Sequence, residues 1–377
     1  MDSPYQAREQ TEVKHEVLTW YLSAFVPIVG NWASDISYID CQAGPWKSSD
    51  PNRNDTSFGR AIGVLRSTRD VLATRGKSPK LHCLFIERES EPFQQLDDYA
   101  RSVTDLDATA RNWDFTTHLD EIVRFGKQGN KPFPFVFIDP KGWDTIQTDV
   151  LAPILRMNPG EVLITLTTSW ITRFISDRTK GFERLLGQDL DRILQLDGEE
   201  QEDEVVRCYS AAIRQVGQFK YVCTLPVMKP DQDAFHFYMI YGTRHLKGVE
   251  VFKKTEQHVI PFMHDTRARA QERKRFQQTG QHGLFGPQAQ YKEKKFTRFR
   301  ARNLELAERR LQELLETSKR VLYDDAWAIA MQYSGVLESD FHEWITDWQA
   351  AGQLFLPNLG PRQKLPRREQ QQYLVWR

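Results

Sequence analysis

Two rhythms of hydrophobic residues run along this chain. Over residues 10–29, Val17, Leu18, Tyr21, Leu22 and Phe25 recur at helical spacing, which predicts an amphipathic helix. Short unbroken apolar runs then alternate with further helical stretches. The runs are "ISYID" at 36–40, "LHCLFIE" at 81–87, "FPFVFIDP" at 133–140 and "EVLITLT" at 161–167, with a weaker one near 110–113. Helical periods lie between them at 60–74, 91–103, 118–127 and 146–156. Strands that are apolar on both faces and separated by helices predict a parallel sheet covered on both sides. After helices near 170–187 and 202–216, "KYVCTLPV" and "AFHFYMIYGT" are joined by the turn "MKPDQD" and predict an antiparallel hairpin. The expectation is an α/β fold: a doubly wound, mostly parallel, seven-stranded Rossmann-like sheet closed by that hairpin.

The last part of the chain reads differently. "NLELAERRLQELLETS", "DDAWAIAMQY" and "ESDFHEWITDWQAAGQL" predict three helices, with Ser334-Gly335 in the turn between the last two. "LFLPN" and "YLVW" are short strands flanking "LGPRQKLPRREQQQ". This predicts a small α+β winged helix-turn-helix domain. The domain reading is 1–255 for the sheet domain, 256–302 for a basic linker and 303–377 for the winged helix.

With 377 residues, 40% hydrophobic and 27% charged, the chain can build a sizeable core. No apolar run approaches the roughly 18 residues of a membrane span. "MDSPYQAREQ" is polar, and the reading is a cytoplasmic protein. Four cysteines, Cys41, Cys83, Cys208 and Cys223, form no C-x-x-C pair. They read as reduced packing residues, and no metal site is expected. Net charge is zero but uneven: residues 189–204 hold eight acids against Arg192, and residues 265–320 hold fifteen Lys or Arg against seven Asp or Glu. That asymmetry suggests a segment facing nucleic acid. The Arg-, Lys- and aromatic-rich "TGQHGLFGPQAQYKEKKFTRFRARN" suits phosphates and stacked bases as well as it suits a linker. Lys141, Arg298, Arg300, Arg362, Lys364 and Arg367 are the candidate nucleic-acid contacts. The predicted recognition helix carries Glu338, Asp340, Glu343 and Asp347, which opposes simple major-groove reading and makes a protein partner the rival for this module.

Candidate chemistry sits where the strands end. In open parallel sheets, ligands bind outside the carboxyl ends of the strands. Asp40, Glu87, Asp114 and Asp139 each stand at such an end. One acid there is commonly a helix cap or turn former. Four in succession point to a ligand with hydroxyls and amines to donate. Ala43-Gly44 after Asp40 lets the backbone approach that ligand, because Gly lacks a Cβ. For Asp114 the capping role and the ligand role stand level. Lys14-His15, on the first helix, reads equally as a lid over the ligand or as a solvated helix face. His118 and His236 read as structural.

"YIDCQAGPW" together with "FIDPKGW" resembles the three-Cys-motif partner (TcmP) proteins, a bacterial methyltransferase-like family. The resemblance extends through "KHEVLTWYL", "FIERES" and "YGTRHLKGVEVF" and covers about residues 11–255. It implies the sheet of class I S-adenosylmethionine (SAM) dependent methyltransferases, with SAM as cofactor. Asp40 would then hold the methionine ammonium, directly or through water, Ala43 and Gly44 the close approach, and Glu87 the ribose hydroxyls. Asp114 and Phe115 would take the adenine. Asp139-Pro140-Lys141-Gly142-Trp143 is similar to the D-P-P-Y motif of amino-group methyltransferases, with Asp139 and Pro140 accepting from the target amine and Trp143 either stacking on its base or serving as a core or lid aromatic. The resemblance further implies a nucleic-acid substrate, a bacterial mobile-element or phage-related setting, a three-Cys-motif partner and, often, a C-terminal winged helix. The competing readings are a catalytically degenerate methyltransferase fold that binds nucleic acid or protein, and a nucleotide-binding enzyme of other chemistry.

Overall fold

The computed structural model describes residues 5, 8–44, 48, 50, 53–169, 171, 175, 180–186, 190–280 and 293–377. Pro45 and Trp46 of the first motif, and 281–292 of the basic stretch, lie outside them, as does part of the helix expected near 170–187.

A seven-stranded sheet carries the first two thirds of the chain. Its strands are β1 (Asp35–Asp40), β2 (Lys80–Ile86), β3 (Asp107–Arg111), β4 (Pro132–Ile138), β5 (Glu161–Leu166), β6 (Tyr221–Met228) and β7 (Phe235–Thr243). Their order across the sheet is β3-β2-β1-β4-β5-β7-β6. β1 to β5 are parallel, while β7 runs antiparallel to both β5 and β6. This is the doubly wound sheet with an antiparallel closing hairpin that the apolar runs predicted. The central strands are buried along their whole length because helices cover both faces.

The helices follow the expected places. They are α1 (Glu9–Val29), α2 (Ser57–Thr74), α3 (Ser90–Ser102), α4 (Leu119–Gly126), α5 (Thr148–Leu155), α6 (Lys180–Leu186), the short α7 (Leu190–Ile193) and α8 (Gly198–Gly217). The five apolar residues that marked α1 are all buried, each worth roughly 2 kcal/mol as an upper figure. Thr56 caps α2, its Oγ1 accepting from the Gly59 N–H at 3.1 Å.

Two expectations need correction. The weak strand near 110–113 is β3, ending at Arg111, so Trp113 and Asp114 lie beyond it. As an edge strand it has one covered face and a charged residue at each end, which weakens its apolar signal. The first half of the basic stretch 256–302 is helical: residues 256–279 continue α9 (Leu246–Thr279), a 34-residue helix. Lys253, Glu256 and Arg267 all lie on its buried side, which broke the apolar pattern that would have announced it.

After residue 292 come α10 (Lys295–Ser318), β8 (Arg320–Leu322), α11 (Tyr323–Ala330), α12 (Glu338–Ala350), β9 (Leu354–Phe355) and β10 (Tyr373–Trp376). Their strands form a separate antiparallel sheet in the order β8-β10-β9. This unit is bolted to α9. The Glu256 carboxylate, fully buried and ion-paired with Lys253, accepts from Ser334 Oγ and the Gly335 N–H at 2.7 Å each. Arg368 reaches Glu250 at 2.8 Å.

Candidate functional site

The sheet order reverses between β1 and β4, which opens a crevice at their carboxyl ends. A cavity of about 620 Å³ occupies it. Gly44, Glu87, Asp114, Phe115, Asp139 and Pro140 all line it. Three of the four strand-end acids, Glu87, Asp114 and Asp139, thus face one cavity.

Gly44 and Glu87 form its floor. A β-carbon on Gly44 would stand 2.1 Å from Glu87 Oε2, so only glycine lets that carboxylate lie across the turn after β1. Glu87 is held from the other side by the Glu89 N–H, which donates to Oε1 at 2.8 Å. The Ala43 N–H donates to the Ile86 carbonyl at 2.9 Å and ties the two strand ends together. Ala43 itself is buried and does not reach the cavity.

Asp40 also lies beneath the cavity and does not line it. Its carboxyl receives Ser57 Oγ at 2.7 Å, the Gln42 N–H at 3.3 Å and Tyr38 OH at 3.3 Å. It fastens the turn to the start of α2. Burial pushes its pKa up to about 7, with the neighbouring Asp139 charge adding to the rise and the three donors opposing it. Direct capture of an ammonium by Asp40, one expectation from sequence, is not what this geometry offers. Cys41 lines the cavity, but burial and Asp40 push its thiol well above the ordinary range, which excludes a ready thiolate nucleophile.

Asp114 shows the capping role, one of its two level readings. Its Oδ1 caps the single turn Phe115–Thr117, accepting from the Thr116 N–H at 3.0 Å and Thr116 Oγ1 at 2.7 Å, and it still faces the cavity wall. Trp113 stacks on His118 with ring centroids 4.6 Å apart, so His118 has the structural role expected of it.

Asp139, past the end of β4, is ion-paired with Lys14 of α1. Lys14 Nζ engages Oδ2 and lies 5.5 Å from the centroid of the Phe237 ring. Lys14, with its side chain 12% exposed, is therefore not on a solvated helix face. Its neighbour His15 is buried and bonded to Tyr5 OH at 3.0 Å; burial and the cations Lys14, Arg60 and Arg8 hold its pKa well below the ordinary value. Trp143 is turned away from the cavity. It stacks on Phe182 at 4.4 Å and occupies the space a side chain at residue 181 would need. Lys141 does line the rim, paired with Glu89 at 2.6 Å.

His236 was expected to be structural. It lines the cavity with Phe237. Because β7 is antiparallel to β5, with Leu166 opposite Tyr238, the first residues of β7 share the rim where the parallel strands end. The turn "MKPDQD" carried that signal, since a hairpin strand starts on the rim where its neighbour stops. Burial and the cations Lys229 and Lys14 lower the His236 pKa, with Asp139 opposing.

Buried polar atoms without a hydrogen-bond partner include Gln10 Oε1, Gln42 Oε1, Thr145 Oγ1, Thr165 Oγ1 and His236 Nδ1, and all five residues line this one cavity. Polar groups left unpaired inside a protein are costly, so their concentration here marks a place built for a polar ligand. Among the described residues no group of His, Cys, Asp and Glu could hold a metal ion.

The expected nucleic-acid contacts divide in two. Arg298 pairs with Glu199 at 2.6 Å, Lys295 with Glu202 at 2.6 Å, and Arg302 with Asp203. Arg300 grips both oxygens of Asp340 at 2.8 and 2.9 Å and the Gly335 carbonyl at 3.0 Å. The acidic run of α8 and the basic run of α10 thus neutralise one another within the chain, and Arg298 and Arg300 are engaged there. Arg362, Lys364 and Arg367 are exposed and make no ion pair among the described residues.

No family model matches the chain, and no curated protein matches it. Solved structures give distant likenesses. Protein LPL1258 of Legionella pneumophila is 10% identical with a TM-score of 0.36, over 62% of this chain and 84% of that one. An O-methyltransferase from Bacillus cereus, in complex with S-adenosylhomocysteine (SAH), is 12% identical with a TM-score of 0.30, over 60% and 80%. A loganic acid methyltransferase with SAH is 11% identical with a TM-score of 0.32, over 74% and 92%. Likenesses of this size assign no function to the chain. No described helix is long and apolar enough to cross a membrane.

Proposed function

We propose that this protein is a SAM-dependent methyltransferase whose cofactor lies in the cavity at the carboxyl ends of β1 to β4. One observation carries the reading: the Glu87 carboxylate lies across Gly44, at the point where the sheet order reverses. A carboxylate on the second strand suits a ribose diol, and a glycine turn on the first suits a ligand backbone lying close against the chain. The residues present fit SAM. Glu87 would accept from the ribose hydroxyls, and Asp114 with Phe115 would border the adenine. The unpaired groups of Gln42, Thr145 and Thr165 would meet polar atoms of the ligand. Asp40 would act from below, by fixing the turn. SAM supplies, when bound, a methyl group made electrophilic by its sulfonium.

The chain's own part is position and charge. Asp139 Oδ2 is engaged by Lys14, which leaves Oδ1 as an open acceptor for an acceptor group's N–H or O–H. The Pro140 carbonyl stands beside it. We take the acceptor to be a nucleic acid, in keeping with the TcmP resemblance. The support is the exposed set Arg362, Lys364 and Arg367 on the loop between β9 and β10, in a three-helix, three-strand unit of winged-helix order.

Calorimetry with SAM and SAH tests the cofactor, with Glu87→Gln as control. Binding by the wild type and at least tenfold weaker binding by the variant is the expected result. A folded wild type that binds neither compound overturns the proposal and leaves a scaffold that has kept the fold without the cofactor. For the acceptor, the triple variant of Arg362, Lys364 and Arg367 to Ala should lose affinity for an RNA or DNA duplex, with a shallower salt dependence. Unchanged affinity removes the nucleic-acid role of this loop.

A further inference from the structure

His236 lines the cavity with the residues assigned to methyl transfer, its ring against that of Phe237 at 5.4 Å between centroids, yet no hydrogen bond among the described residues uses it. Neither ring nitrogen has a hydrogen-bond partner among the described residues. Nδ1 is shut away from solvent, which leaves Nε2 as the nitrogen open to the cavity. A half-buried imidazole kept only for packing would be better replaced by an apolar ring, because an unpaired polar atom costs about 1–3 kcal/mol. The neighbouring side chain, Phe237, carries Lys14 against its ring, and Lys14 in turn holds Asp139. The antiparallel hairpin therefore brings His236 to the Asp139 rim, from the strand facing β5.

We infer that His236, through Nε2, takes the proton that the acceptor group loses when it is methylated. The inference rests on the methyltransferase reading above and adds a residue to it. The balance is complete: the acceptor's O–H or N–H bond gives up its proton to Nε2, its electron pair forms the bond to carbon, and the carbon–sulfur pair stays on sulfur. Asp139 cannot fill this role easily while Lys14 neutralises it. The imidazole can, because it is kept neutral. The charged groups acting on it are Lys229 from the turn before β7, Lys14 from α1 and Asp139 from the end of β4. The two cations disfavour the imidazolium and the one carboxylate favours it, so the ring is a free base near neutral pH.

The test compares two bound probes in the full-length protein labelled at histidine. SAH lacks the transferable methyl group. Sinefungin places an ammonium where that methyl group stands. Histidine NMR follows each ring through a pH titration, with His236→Gln, or His236→Asn if the first variant folds poorly, assigning the signal. The expected result is a His236 midpoint lower by about half a pH unit or more with sinefungin than with SAH, because a cation beside the ring opposes its protonation. His82, near the amino end of β2 and bonded to Asp35 and Asp107, should not respond. If both probes bind by calorimetry and the His236 midpoint is the same in both complexes, the ring is far from the transferring carbon and this inference fails alone. If neither probe binds, the cofactor reading fails and takes this inference with it.

Discussion

Gly44 and Glu87 are matched to each other: the space a β-carbon would take on the first is filled by the carboxylate of the second. The pairing is a compact statement of what the sheet does here. Two strand ends, forty-odd residues apart in sequence, meet so closely that one must give up its side chain.

Gly44→Ala should therefore strike the ligand site and spare the fold. The carboxylate is the far end of a flexible side chain and can swing away, so unfolding in urea should change by about 1 kcal/mol or less. SAH affinity should fall about tenfold or more, since Glu87 would leave its place. Calorimetry beside an unfolding curve separates the two effects, and unchanged affinity would show that the Glu87 position does not matter to the ligand.

Asp40 predicts a pH dependence with a definite sign. Its carboxyl is raised in the fold from an ordinary 3.8 to about 7, chiefly by burial. A raised acid binds its proton more tightly folded than unfolded. Its contribution is thus fully present below pH 4 and is lost as pH rises to about 7. Asp40→Asn is neutral throughout and cannot lose it. The melting temperature of the wild type, taken relative to that variant, should fall between pH 4.5 and 7.5. A difference that stays flat, or rises, would show that Asp40 is ionised in the fold at all these values.

Glu256 should prove essential to the join between α9 and the C-terminal unit. Glu256→Ala leaves Lys253 buried without its partner and strips an acceptor from Ser334 Oγ and the Gly335 N–H. Losing one member of a buried pair costs about 3–5 kcal/mol. Limited proteolysis should then release residues C-terminal to α9 faster than in the wild type, and equal rates would place the join elsewhere.

The ion pairs between α8 and α10 should answer to stability and not to nucleic acid. Lys295 and Glu202 are the best sheltered of them, at 12% and 13% side-chain exposure. A double-mutant cycle of Lys295→Met and Glu202→Gln should return a coupling of about 1 kcal/mol or more in urea unfolding. Arg298→Ala, removing an exposed pair, should leave nucleic-acid affinity unchanged. A marked loss of that affinity would return Arg298 to the interface.

How much of this was legible beforehand follows from what each residue touches. β1, β2, β4 and β5 announced themselves because both of their faces are buried, and Glu87, Asp114 and Asp139 stood out as acids closing apolar runs. Asp40 was legible in place but not in role, since nothing in "ISYID" says that Ser57 and Tyr38 will claim its carboxyl. Lys14 and His236 reach the Asp139 rim from far along the chain on either side, one on a helix and one on a hairpin strand. Only the topology joins them. The pairing of the two charged runs was hidden for a related reason: a run of acids and a run of bases look like two surfaces until the fold lays α8 beside α10.

The span between Lys14 and Phe237 also sets an order of events during synthesis. The cavity takes its walls from α1, from the ends of β1 to β5 and from the first residues of β7. A ribosome that has extruded β1 to β5 has therefore made a sheet without a finished binding site, and Lys14 lacks the ring it rests against. Affinity for any ligand at this site must arrive late and abruptly, when the hairpin inserts β7 between β5 and β6, and a truncated or stalled chain ending before residue 235 would carry none.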